Sequence, residues 1–275
     1  MEQARISFLG GGNMAASLIG GLIADGLSPE RIVVAEPLAE RRAWLAERFG
    51  VAAVADNRQA AGETDVLVLS VKPQVMQQVV AEIRDGVCAG RPLVLSIAAG
   101  LRTQALLRWF GCALPLVRCM PNTPALVQSG VTALFAVASV DEAQRSLAES
   151  ILRAVGITLW VDDEALLDAV TALSGSGPAY CFLLLEAMQA AGEALGLAPE
   201  DARLLTLQTV FGAARMALES EEGPAALRAR VTSPGGTTER AIEVFEAGGF
   251  RELVARAVAA AAQRSRELAD ELGRA

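Results

Sequence analysis

The chain has 275 residues, 52% of them hydrophobic, and a formal net charge of −8. That suits two globular domains and excludes broad electrostatic attraction to nucleic acid or to an anionic membrane surface. There is no histidine, Tyr180 is the only tyrosine and Lys72 the only lysine among 24 basic residues, so a Ser-His-Asp triad, a Cys-His pair and a histidine-bound metal are ruled out and no metal is expected.

Up to about residue 162, short β-branched runs alternate with helical patterns. Strands are predicted at Arg5–Leu9, Arg31–Glu36, Val66–Ser70, Pro92–Ile97, Pro115–Cys119, Val131–Phe135 and Ile157–Val161, and helices at Ala15–Asp25, Leu38–Phe49 and Gln74–Arg84. This βαβ alternation predicts an α/β fold with an N-terminal Rossmann-type, doubly wound parallel sheet. The later strands have shorter connections and are read as extending or edging the sheet.

The first strand runs into Gly10-Gly11-Gly12-Asn13-Met14-Ala15, a G-x-G-x-x-A turn placed between strand and helix. There the backbone can approach a dinucleotide pyrophosphate. Glu36 ends the second strand, where a carboxylate hydrogen-bonds a ribose 2′-hydroxyl and favours NADH. Arg41 and Arg42, one turn further on, can reach a 2′-phosphate, so the choice between NADPH and NADH stays open. The loops Ser70-Val71-Lys72-Pro73 and Ile97-Ala98-Ala99-Gly100 also follow strands, on the edge where such a sheet holds its ligand.

Cys88, Cys112, Cys119 and Cys181 form no Cys-x-x-Cys pair. With a strand pattern in place of a signal peptide, they read as reduced, buried small side chains of a cytoplasmic protein. From 163 to 275 the sequence becomes Ala- and Leu-rich with no strand pattern, which predicts an all-helical second domain. Its helices are placed at Glu164–Ser174, Ala179–Leu195, Pro199–Glu219, Pro224–Val231, Thr237–Glu246 and Phe250–Leu272. The apolar run Ala165–Met188 carries Asp168 and Glu186 and is broken by Ser174-Gly175-Ser176-Gly177-Pro178, so it reads as a core hairpin or kinked helix, not a bilayer span. Several helices are too apolar around their circumference for a small lone bundle, which predicts a second subunit against them.

Within this half, Val231-Thr232-Ser233-Pro234-Gly235-Gly236-Thr237-Thr238 places a donor-rich turn directly ahead of a helix. The orphan N–H groups of the first turn and the hydroxyls of Ser233, Thr237 and Thr238 suit a small carboxylate. A nicotinamide cofactor beside a carboxylate site implies hydride transfer. Oxidation of a hydroxy acid calls for a His or Lys base, and the helical domain has neither. An imine takes its proton from water and arrives as an electrophilic iminium, so the composition favours an imine as acceptor.

The motifs at 10–15, Val71-Lys72-Pro73, Met120-Pro121-Asn122-Thr123-Pro124, 174–180 and 232–238 stand in one order along the chain, and with them the sequence resembles the pyrroline-5-carboxylate reductases over its whole length. The resemblance implies reduction of 1-pyrroline-5-carboxylate to L-proline with NADPH or NADH, the last step of proline synthesis. It places Gly10, Gly12, Asn13 and Met14 at the pyrophosphate and Asn57 at the adenosine ribose. Val71, Lys72, Pro73 and Ala98 would lie along the nicotinamide half, and Met120, Pro121 and Asn122 where nicotinamide and substrate meet. Ser233, Gly235, Gly236 and Thr237 would bind the substrate carboxylate, Thr238 the ring nitrogen, and Glu221 would help order the site. It also implies a homodimer of interleaved C-terminal helices with the substrate site at the interface, and commonly a ring of five dimers. Two rival readings are a reductase of another cyclic imine and a non-catalytic dinucleotide-binding protein.

Overall fold

The structure, a computed structural model, describes residues 3–273. Eight strands form a single sheet in the order β3-β2-β1-β4-β5-β6-β7-β8: β1 Ile6–Leu9, β2 Ile32–Ala35, β3 Ala52–Val54, β4 Val66–Leu69, β5 Leu93–Ser96, β6 Leu116–Met120, β7 Gly130–Ala136 and β8 Gly156–Trp160. All neighbours pair in parallel except β6 and β7. β1, β4 and β5 are buried along their whole length, as near-continuous Val/Ile/Leu runs require when helices cover both faces.

On one face α1 (Asn13–Ala24), α2 (Ala39–Phe49) and α6 (Glu142–Arg153) close a core around Phe8, Leu18, Leu22 and Ile151. On the other, α4 (Pro73–Gly90) and α5 (Thr103–Phe110) close one around Leu67, Met76, Val80 and Leu106. Reversal of strand order at β1 and β4 sends the connections to opposite faces.

Four elements of this half depart from the sequence expectation. β3 has only three residues and α3, Asn57–Ala60, only four, too short for a period to register. α5 and α6 stand where only short connections were expected. α6 carries a legible signal, the reciprocal capping box of Asp141 and Gln144.

The remaining elements are α7 (Leu166–Val170), a π-helical turn at Thr171–Gly175, α8 (Gly177–Ala194), α9 (Pro199–Glu219), α10 (Pro224–Arg230), α11 (Thr237–Ala247) and α12 (Phe250–Gly273). By compactness the chain divides into one unit of residues 3–176 with 261–273 and a second of Gly177–Ala260. The first unit therefore includes α7, the π turn and the last turns of α12, beyond residue 162. Asp168 and Ser265, both buried, show why: the Ser265 hydroxyl donates to Asp168 Oδ1 at 2.7 Å, tying α12 to α7.

In the second unit α8 buries no residue, and Phe182, Leu183, Leu204, Leu205 and Phe211 stand exposed. Among the described residues no helix is long and apolar enough to cross a membrane.

The expectation of four reduced, buried cysteines is corrected. Cys88 and Cys112 are joined in a disulfide with Cα atoms 6.1 Å apart, Cys181 is exposed, and Cys119 alone is a free, buried thiol, which burial makes hard to ionise. Sequence separation of 24 residues hid the pair; packing of the C-terminal ends of α4 and α5 brings it together. Closing a loop of that length restricts the unfolded chain. Reducing this bond is expected to lower the melting temperature by about 5–10 °C, and differential scanning calorimetry with and without reductant checks it.

Candidate active site

The cofactor-side residues collect where parallel strands end on one edge of the sheet. After β1, Gly10 turns with φ of 98°, so close to β4 that a Cβ would stand 2.8 Å from the Ser70 carbonyl oxygen. Only glycine takes that conformation there without strain. The Ser70 hydroxyl lies 2.9 Å from the Leu9 carbonyl oxygen and 2.8 Å from that of Gly10, bracing the turn from β4. Gly12 is the N-cap of α1, no side chain bonds to that helix start, and the place a Cβ would take is open. First-turn N–H groups from Asn13 and Met14 onward are thus left for an external anion, with the helix dipole behind them. The cradle fits a pyrophosphate.

Glu36 follows β2 and is 8% exposed. Its Oε2 accepts the Gly11 N–H at 2.9 Å and its Oε1 the Leu38 N–H at 3.1 Å, so the carboxylate joins the glycine turn to the β2–α2 turn. Each oxygen keeps a lone pair for a ribose hydroxyl. Both arginines are committed to main-chain carbonyls. Arg41 Nε donates to Gly11 O at 2.7 Å while its guanidinium lies 4.1 Å over the Trp44 ring, and Arg42 Nη1 donates to Glu36 O at 2.8 Å and Pro37 O at 2.7 Å.

Asn57 opens α3, but Asp56 provides the cap by accepting the Arg58 N–H, while Asn57 Nδ2 donates to Glu82 Oε2 at 2.8 Å. Val71 packs on the core below, exposed Lys72 is the N-cap of α4, and Pro73 is its first residue. Ala98 is buried in the turn after β5. Met120 ends β6, with buried Pro121 and half-buried Asn122 next to it. Asn122 has all its polar atoms engaged: Nδ2 donates to the Ser174 carbonyl at 3.3 Å and its hydroxyl at 3.2 Å, and Oδ1 accepts the Val131 N–H at 3.0 Å.

Glu164 is a residue the sequence reading missed. Its carboxylate accepts both the N–H and the hydroxyl of Thr103 at 2.8 Å and Arg118 Nη1 at 3.0 Å, fixing the start of α5 directly after the Ala98–Gly100 turn. The available signal was Arg118 itself, a charge inside an otherwise apolar strand that must have a partner.

The residues that the sequence assigns to the substrate lie in the second unit. Ser233 to Gly236 lie in the turn between α10 and α11 and Thr237 and Thr238 open α11, with Ser233, Thr237 and Thr238 exposed. Gly236 is the N-cap of α11, without a side-chain bond to the helix start, and its N–H donates to Ser233 O at 3.0 Å. Gly235 has φ of 71° and donates its N–H to Glu239. The N–H groups of Thr237 and Thr238 head the helix, as a carboxylate site requires. Glu221 stands exposed in the separate turn between α9 and α10.

Known proteins match the chain over nearly its whole length. Residues 164–268 match the family model "Pyrroline-5-carboxylate reductase dimerisation", and residues 5–100 match "NADP oxidoreductase coenzyme F420-dependent". The chain is 55% identical over 273 residues to a pyrroline-5-carboxylate reductase of Pseudomonas aeruginosa, covering 99% of this chain and 100% of that one. A solved pyrroline-5-carboxylate reductase from Coxiella burnetii superposes with a TM-score of 0.92 at 50% identity, covering 96% of this chain and 98% of that one. The Plasmodium falciparum pyrroline carboxylate reductase with NADP bound gives 0.87 at 28% identity, covering 98% and 99%.

Replacing Glu36 by alanine removes the acceptor of two backbone N–H groups, those of Gly11 and Leu38. The dissociation constant for NADH is expected to rise about ten-fold, and that for NADPH less. Titration of both cofactors by fluorescence checks this.

Proposed function

As a member of the pyrroline-5-carboxylate reductase family, this chain is an NAD(P)H-dependent oxidoreductase of the last step of proline biosynthesis, and we propose that it works by positioned hydride transfer without a side-chain base. The observation that carries this is the α11 helix start, whose Thr237 and Thr238 N–H groups meet no side-chain acceptor among the described residues, in a protein with no histidine and with its only lysine on the other unit.

In this reading the bound cofactor supplies the hydride for the imine carbon of 1-pyrroline-5-carboxylate. Gly10, Gly12, Asn13 and Met14 hold its pyrophosphate, Glu36 and Asn57 face its adenosine ribose, and Val71, Lys72, Pro73, Ala98, Met120, Pro121 and Asn122 line its nicotinamide half. For Asn57 and Asn122 the roles run through bonds already made to Glu82 and to Ser174 and Val131.

Ser233, Gly235, Gly236 and Thr237 take the substrate carboxylate through the Ser233 and Thr237 hydroxyls, the Thr237 N–H and the helix dipole, the Gly235 and Gly236 N–H groups being held by Glu239 and by Ser233 O. The Thr238 hydroxyl, which makes no hydrogen bond among the described residues, bonds the ring nitrogen. Fixing the ring at two points orients its imine carbon, and orientation with electrostatics supplies the acceleration. Glu221 helps order the loop. The exposed apolar side chains of α8 and α9 support a homodimer with the substrate site where two copies meet. Five such dimers in a ring, in the cytoplasm, complete the proposal.

Thr238→Ala is expected to lower kcat/KM for 1-pyrroline-5-carboxylate by about 10–100-fold with an unchanged melting temperature. Initial rates of NADPH and NADH oxidation, with proline identified as product, test it, and wild-type kinetics in this variant would overturn the assignment.

A further inference from the structure

We propose that the π-helical turn Thr171–Gly175 is a seat that positions Met120 at the reacting end of the cofactor, with Asn122 and Gly175 as the positioning residues. This rests on the cofactor reading above and goes beyond it, because the turn itself touches neither reactant in that reading.

Three features of the first unit converge on the turn. The first is its winding: the Ser176 N–H bonds back to the Thr171 carbonyl at 2.8 Å, five residues earlier, and the Thr171 hydroxyl donates to Leu167 O at 2.7 Å. Each residue added to or taken from a turn rotates the succeeding residues by about 100° around the axis, so the wide turn decides which side Ser174 and Gly175 present. Such single wide turns are frequent at functional sites.

The second is the latch. The Asn122 amide group reaches both oxygens of Ser174, while its carbonyl oxygen holds the Val131 N–H of β7. The loop after β6 is thereby clamped between a strand and the turn. The third is a close approach: a Cβ on Gly175 would stand 2.5 Å from Met120 Cε, so the absence of a side chain there is what lets Met120 settle on the turn. Thr171 of the turn also lines a cavity of about 330 Å³, together with Pro73, Ala99, Gly100, Ser176 and the end of α12. The turn is thus bonded to the loop after β6 and shares a cavity with the loops after β4 and β5. Behind it the buried Ser265–Asp168 bond holds α7 in place.

A seat of this kind affects the reacting end of the dinucleotide and leaves its adenosine end alone. The test compares wild type, Gly175→Ala and Asn122→Ala by calorimetric titration of ADP-ribose and NADH, by kcat and KM, and by the kinetic isotope effect with 4-deuterated NADH. In both variants ADP-ribose affinity should stay within about two-fold, kcat should fall about ten-fold or more, and the isotope effect should rise, since small misplacements at the reacting atoms are costly.

Wild-type kcat and isotope effect in both variants would overturn the proposal. Loss of ADP-ribose binding in step with kcat would also overturn it, by showing general destabilisation. Should Gly175→Ala fail to fold, Asn122→Ala, which fills no space, decides alone. Failure of the wild type to bind ADP-ribose would overturn the cofactor reading itself, which separates the two.

Discussion

The functional arrangement depends on the parallel register of the central strands. Leu9 stands opposite Ala35 on one side and Leu69 on the other, Leu69 opposite Ser96, and Ser96 opposite Arg118. Because these positions form one row, the glycine turn, Glu36, Ser70 and the Ala98 loop all emerge at the same level. A slip of one residue in any strand would turn its buried side chains to the opposite face, so core burial and alignment of the edge are the same constraint. The polar bonds above the row then fix the loops individually, Ser70 to the glycine turn, Glu36 to the next turn, Glu164 to the head of α5.

That arrangement explains how an enzyme so poor in acid–base side chains can be effective. In the proposed mechanism its side chains supply direction more than protons: helix starts at α1 and α11 would offer N–H groups to anions, while the carboxylates of buried Glu36 and half-buried Glu164 hold backbone. The chemistry that remains is the one the cofactor supplies.

Much of this was legible in the residues. Strand–helix alternation, the glycine turn and the Thr232–Thr238 motif each carry a local signal, and elements as long as α9 were bounded to the residue. What stayed hidden depends on contacts distant in sequence. No local pattern shows that Glu164 reaches Arg118 and Thr103, that Asn57 binds Glu82, or that Cys88 meets Cys112 across β5 and α5. β3 and α3 were missed because a three-residue strand and a one-turn helix carry no period, and α5 because its eight residues lie between strand-like runs.

The bare apolar surface of α8 bears on how the protein persists in dilute solution. A helix of 18 residues that packs on α9 yet buries none of them within its own chain gains full burial only if another copy covers it. Assembly is then part of folding, and protomer concentration enters the equilibrium directly. Dilution acts on such a protein as a denaturant does, while a cell that makes more of it gains stability per molecule along with quantity.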